Sequence, residues 1–101
     1  MIILPAIDLY SSKAVRLYKG DYSAMTVYND DPLETAKDFE ASGAEYIHIV
    51  DLEGAKSGDT PNIATVERIV KGTSLSSEIG GGIRSMETIE KYISIGVKRV
   101  I

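Results

Sequence analysis

Gly80-Gly81-Gly82-Ile83-Arg84-Ser85 joins an apolar, β-like run over 75–79 to a helix-like run over 86–95, and its reading decides the fold. A strand that ends in three glycines and turns straight into a helix leaves backbone N–H groups open to a ligand, with no Cβ to hold the ligand off. Such a turn can hold an anion, and Arg84 adds a planar cation at the same rim. The helix is announced by Ser85 as N-cap, Glu87 in the first turn, Met86, Ile89 and Ile93 as an apolar stripe, and Gly96 as the stop. The alternative is a plain tight turn whose glycines only let strand and helix pack closely. The spacing fits neither a Walker loop, which needs Gly-Lys-Ser/Thr, nor the dinucleotide fingerprint Gly-x-Gly-x-x-Gly.

Working outward, 97–101 begins a further strand, and upstream Asn62 caps a helix through 71 with Ile63, Val66, Ile69 and Val70 inside and Gly72 as its close. Residues 52–61 read as a βα loop carrying Gly54, Lys56 and Gly58, and 44–51 as an apolar strand ending in Asp51. Before it, Asp31 caps a helix, Pro32 takes the first-turn position, Glu34 completes a capping box, and Leu33, Ala36 and Phe39 form the inner stripe up to Gly43. Residues 20–31 read as a polar, aromatic-dotted, mobile loop, long enough for a lid or binding loop. Residues 13–18 form the second arm of a hairpin turned at Ser11-Ser12. The first strand, 2–8, is apolar on both faces, the habit of a buried parallel strand, with Pro5 marking an edge or a bulge.

The order β(hairpin)αβαβαβ implies right-handed crossovers and a parallel α/β sheet. The stretch after Gly43 takes eight residues to reach Asp51, whereas the similar stretch after Gly96 has five, so the last strand reads as cut short. Unpaired outer strands invite association. The expectation is therefore a half-barrel, one unit over 1–101, that belongs to a larger closed sheet and self-associates through its open edges.

With 101 residues, 44% apolar and 26% charged, the chain is one domain of ordinary globular composition. A formal charge of −4 argues against a nucleic-acid surface, so any phosphate site must be local. The absence of cysteine excludes disulfides, thiol catalysis and Cys-based zinc sites, and is compatible with a reducing cytoplasm. The apolar start has no basic flank and is cut off by Asp8, so it is read as neither signal peptide nor membrane span. No His/Asp/Glu set has metal-ligand spacing, and neither metal nor cofactor is expected.

Ligands of parallel α/β folds bind beyond the carboxyl ends of strands, the edge that here carries Asp8, Asp51, the glycine turn and Arg84. A carboxylate beside anion-binding amides suits a general base working next to a carbonyl or imine carbon. The plainer reading of Asp8 is an Asx turn or a partner for a lysine. His48 and Asp51 are three apart and face opposite sides of a regular strand, so only one of them points into the centre unless Asp51 already belongs to the loop. His48, the only histidine, is either a satisfied core residue or a site residue. Arg16 and Lys19 either reach a second anionic group or are solvated surface charge.

Four motifs in order, Leu4-Pro5-Ala6-Ile7-Asp8-Leu9, Val15-Arg16-Leu17-Tyr18-Lys19-Gly20-Asp21-Tyr22, Val50-Asp51-Leu52-Glu53-Gly54-Ala55-Lys56 and Gly80-Gly81-Gly82-Ile83-Arg84, resemble the histidine-biosynthesis isomerase family that acts on a phosphoribosyl-formimino-aminoimidazole-carboxamide ribotide. The sister cyclase of the pathway shares the glycine turn but typically has Pro-Cys-Leu-Asp-Val at strand one and histidine after Gly-Gly-Gly-Ile, which favours the isomerase. The resemblance implies strands one to four of a TIM (βα)8 barrel, cut within strand four. It also implies a cofactor-free Amadori rearrangement of a bis-phosphorylated substrate, with Asp8 as general base at the sugar C2. Gly81, Gly82 and the following helix start would hold one phosphate, with Arg84 and Asp51 at the same edge. Arg16 and its loop would close over the substrate, and His48 would line the site. The family's general acid, at the end of strand five, has no counterpart in these residues. A non-catalytic half-barrel that binds phosphate is the competing expectation.

Overall fold

A computed structural model describes residues 4–101. The chain forms β1 (Ala6–Tyr10), β2 (Lys13–Tyr18), β3 (Asp21–Asn29), α1 (Pro32–Ala41), β4 (Tyr46–Asp51), α2 (Leu52–Ser57), α3 (Ile63–Gly72), β5 (Ser76–Gly80), α4 (Met86–Ser94) and β6 (Arg99–Val100). All six strands join one sheet in the order β3-β2-β1-β4-β5-β6. β1, β4, β5 and β6 run parallel in sequence order, as helical crossovers require, and β2 and β3 extend one edge antiparallel. The result is an open, mostly parallel α/β sheet.

Alternation along the strands separates two faces. Ile7, Leu9, Ile47, Ile49 and Ile79 are fully buried against Ala36, Val66, Ile69 and Tyr92 of the helices. Each such Ile or Leu contributes about 1.5–3 kcal/mol by leaving water, so this face carries the stability of the unit. The residues between them, Asp8, His48, Val50 and Glu78, lie on the opposite face and are only partly covered.

Several expectations are corrected. Residues 20–31 are not a mobile loop: β3 pairs with β2 along most of that stretch. The cause is the turn at Lys19-Gly20, with φ of 51° and 74°, whose two successive left-handed residues give the twist a hairpin needs. Ser11 and Ser12, at φ 50° and 62°, make the same kind of turn between β1 and β2. Of the strand expected over 2–8, Ile2 and Ile3 lie outside the described residues and the ladder begins at Ala6. The 52–61 loop opens with the short helix α2, ended by Gly58 at φ 80°. Asp31 caps α1 by accepting from the Leu33 amide, but the capping box is absent, because the Asp31 N–H donates to Asn29 Oδ1 at 2.8 Å. In α4 the buried side chain is Tyr92, whereas Met86 and Ile93 are 69% and 49% exposed.

Candidate active site

Asp8 stands in the middle of β1, opposite Val50 of β4, which in turn stands opposite Gly80 of β5. One row toward the strand starts, Ala6, His48, Glu78 and Arg99 line up across four parallel strands. Asp8 and His48 therefore share the face away from the helices, on adjacent strands. Burial pushes the Asp8 carboxyl above the ordinary carboxylate range, and the charge of His48 opposes that rise. A carboxylate raised toward working pH is a stronger base than a free aspartate.

The β2–β3 hairpin returns to this region. Tyr22 Oη donates to the Leu52 carbonyl at 2.8 Å, the Tyr22 ring meets the Tyr10 ring edge-on at 6.4 Å, and the Lys56 ammonium lies 5.1 Å from its centre. Arg16 is exposed and stacks on Tyr28 at 5.5 Å. Burial raises the phenols of Tyr22 and Tyr28, and the Asp8 carboxylate adds to the rise in both, so both rings are within electrostatic reach of Asp8.

Gly81 and Gly82 have φ of 114° and 75°. A Cβ on Gly82 would overlap the Gly54 carbonyl oxygen, and one on Gly81 would overlap that of Asp51. The two glycines thus let the β5–α4 turn press against the backbone that starts α2. Ser85 accepts from the Thr88 amide at 3.2 Å and caps α4 as its sequence predicts. Arg84 turns toward α2, with Nη2 3.4 Å from the Ala55 carbonyl and its guanidinium over Gly58.

The structure gives Asp51 a different place from the edge of a binding site. Asp51 is fully buried and faces the helix layer, opposite to His48 as their spacing implies. Its Oδ1 accepts from the Gly54 amide and from Asn62 Nδ2, both at 2.8 Å, and Oδ2 accepts from the Asn62 amide at 3.1 Å. Asn62 holds the N-cap position of α3 but its side chain does not bond the helix amides; its Nδ2 also reaches Glu53 Oε1, while its Oδ1 accepts from Ser12 N–H at 2.8 Å. Glu53 Oε1 takes the Ser11 amide as well, so the base of the hairpin is tied to α2 and α3. Asn62→Ala is expected to cost about 2–4 kcal/mol, because it strips partners from a buried carboxylate. Urea denaturation checks this, and a cost below about 1 kcal/mol would show that the network is not what holds the turn.

Asn62, read only as a helix cap, and Glu53, Tyr22 and Glu78 were not assigned to the site from sequence. Their only signal was polar or aromatic character beside strand ends, which surface residues share. A concavity of about 480 Å³ opens at the amino ends of the strands, between Leu4, Tyr46, Ser76 and Lys98, and reaches Glu78 and Arg99. It contains neither Asp8 nor the glycine turn, so the chemistry rather than the volume marks the site. Among the described residues no His, Asp and Glu cluster could hold a metal ion, and no helix is long and apolar enough to cross a membrane.

Fold and site together define an open α/β unit of the kind that builds (βα) barrels, with a partly buried carboxyl on the helix-free face of its first strand. A profile of the family described as Histidine biosynthesis protein matches residues 2–101, and the chain belongs to that family. Among curated proteins it is 54% identical over 101 residues to the 1-(5-phosphoribosyl)-5-((5-phosphoribosylamino)methylideneamino)imidazole-4-carboxamide isomerase of Oceanobacillus iheyensis. It is 56% identical over 102 residues to the isomerase of the same name from Lactococcus lactis subsp. cremoris, and 54% identical over 101 to that of Campylobacter fetus. All of this chain is covered in each comparison, and it spans 42–43% of the length of these relatives.

Proposed function

We propose that residues 1–101 form one unit, the N-terminal, base-bearing half of a full-length isomerase of histidine biosynthesis as long as these relatives. The observation that carries the reading is Asp8, a carboxyl raised by burial on the open face, beside His48 and level with Gly80 two strands away, where the glycine turn begins. The reaction is an internal aldose–ketose rearrangement. Asp8 removes the proton from the sugar C2 of an opened, iminium-bearing chain, the C2–C1 enolamine forms, and protonation at C1 with loss of the C2 hydroxyl proton gives the aminoketose. Oxidation at C2 balances reduction at C1, so the step calls for no external electron acceptor.

The relatives' name carries two phosphoribosyl groups, which fits a bis-phosphorylated substrate. In this reading Gly81, Gly82 and the start of α4 hold one phosphate, with Arg84 at the rim. Arg16 and the β2–β3 hairpin cover the substrate, His48 lines the site, and Asp51 supports the turns rather than touching the ligand. The ring-opening acid belongs to the length of the relatives that this chain does not span. The protein works in the cytoplasm, and the isolated 101 residues associate through the β3 and β6 edges of the sheet.

Turnover of the phosphoribosyl-formimino substrate by the full-length protein tests the reading, and none at all would overturn it. Turnover of the 101-residue chain rising more steeply than its concentration would mean that half-barrels assemble into a working site. Activity confined to the full-length protein would make the chain alone a non-catalytic half, as the loss of a general acid worth about 10²–10⁴-fold requires.

A further inference from the structure

We propose that Glu78 is a positioning residue that fixes the tautomer of His48, so that the neutral ring carries its proton on Nδ1 and presents Nε2 as an acceptor on the open face of the sheet. Its catalytic consequence rests on the function proposed above, but the tautomer itself does not.

His48 Nδ1 lies 2.7 Å from Glu78 Oε1, with the two side chains 29% and 17% exposed. An ionised carboxylate offers acceptors only, so the proton of this bond belongs to the imidazole. Glu78 is kept in place from its other side, where Oε2 receives Arg99 Nη1 at 3.4 Å. Both partners sit within strands, in direct register on β4 and β5, so the pairing does not depend on a loop. The ring's Cε1 is 3.9 Å from the point where a Cβ on Gly80 would stand. The Nδ1–Cε1 edge therefore runs along β5 from Glu78 to Gly80, which leaves Nε2 and Cδ2 on the edge turned away from that strand. Gly80 gives this edge room.

The charge of His48 acts on Asp8, so the ring and the carboxylate border one region of the face. With Nδ1 committed to Glu78, Nε2 is the ring atom left to a ligand. Unprotonated, it accepts from a hydroxyl, and two acceptors side by side suit a polyhydroxy chain: Asp8 for the C–H that reacts, Nε2 for a neighbouring O–H. A ring free to choose would favour the proton on Nε2, as histidine side chains do in water, and would then offer a donor where the ligand also has one.

The test is the imidazole ¹⁵N spectrum of the full-length protein at a pH where the ring is neutral, with His48 assigned by the signals that H48Q removes. The expected pattern is Nδ1–H in the wild type, changing to Nε2–H in both E78L and E78M, the unbranched methionine serving where leucine disturbs the strand. In E78M kcat/KM should fall by roughly tenfold or more, the order of loss known for metal-bound imidazoles deprived of their orienting partner. The nitrogen pattern supports the assignment whether or not turnover is found. Nε2–H in the wild type, or Nδ1–H persisting in both variants, would overturn it.

Discussion

Asp8→Asn in the full-length protein is expected to lower turnover by about 10²–10⁴-fold, the usual weight of a positioned general base, while leaving the fold at least as stable at neutral pH. The two halves of this expectation have one cause. Burial on the open face raises the Asp8 carboxyl above its ordinary range, and the charge of His48 offsets only part of that. A group whose pKa is higher in the folded than in the unfolded chain favours folding in its protonated form. That contribution is complete below the unfolded value and is lost as the pH rises through the folded one. At neutral pH the ionised carboxylate is thus a destabilising group that asparagine does not carry. Thermal melts should place the variant at or above the wild type at pH 7, with the gap closing as the pH is lowered through the carboxylate range. Unchanged turnover, or a variant clearly less stable at pH 7, would remove Asp8 from the role of base.

Gly82→Ala is expected to cost about 3–5 kcal/mol, enough to leave a small domain largely unfolded. Gly20 supplies the control. The two glycines have nearly the same φ, 75° and 74°, but a Cβ on Gly20 meets nothing within 4 Å, whereas one on Gly82 falls on the Gly54 carbonyl. Gly20→Ala bears only the backbone strain of the left-handed region, about 1 kcal/mol. The difference between the two variants in denaturant unfolding isolates the contact between the β5–α4 turn and the start of α2. Equal costs would mean that conformation alone, and not close approach, demands glycine at position 82.

This contact also bears on what could be read in advance. The glycine turn was legible as a strand-to-helix junction, and Ser85, Asp31 and Pro32 mark helix starts that the structure keeps. The apolar runs gave the parallel strands and the helical crossovers between them. What Gly81 and Gly82 press against was not legible, since it depends on a segment nearly 30 residues upstream. β3 was missed because its turn places Lys19 in a left-handed conformation, where a lysine gives no signal. α2 was missed because six residues with a glycine inside show no periodicity. Tyr92 is buried while Met86 and Ile93 are not, because the rotation of α4 is set by the sheet it packs on and not by hydropathy alone. For the site, Asp8 and His48 share a face as strand parity allows, yet the burial of Asp51 could not be separated from exposure at a strand end.

The ties at the hairpin base have a consequence in time as well as space. Ser12 donates to an asparagine 50 residues later in the chain, and Ser11 to a glutamate 42 residues later. At the usual pace of synthesis, about 5–20 residues per second, Asn62 leaves the ribosome about 3–10 s after the turn it must hold. During that interval the hairpin can form its own ladder but has nothing to dock on, because closing so long a loop must precede any contact that rewards it. The orientation of the strand that bears Asp8 is thus set only once the chain has grown as far as α3.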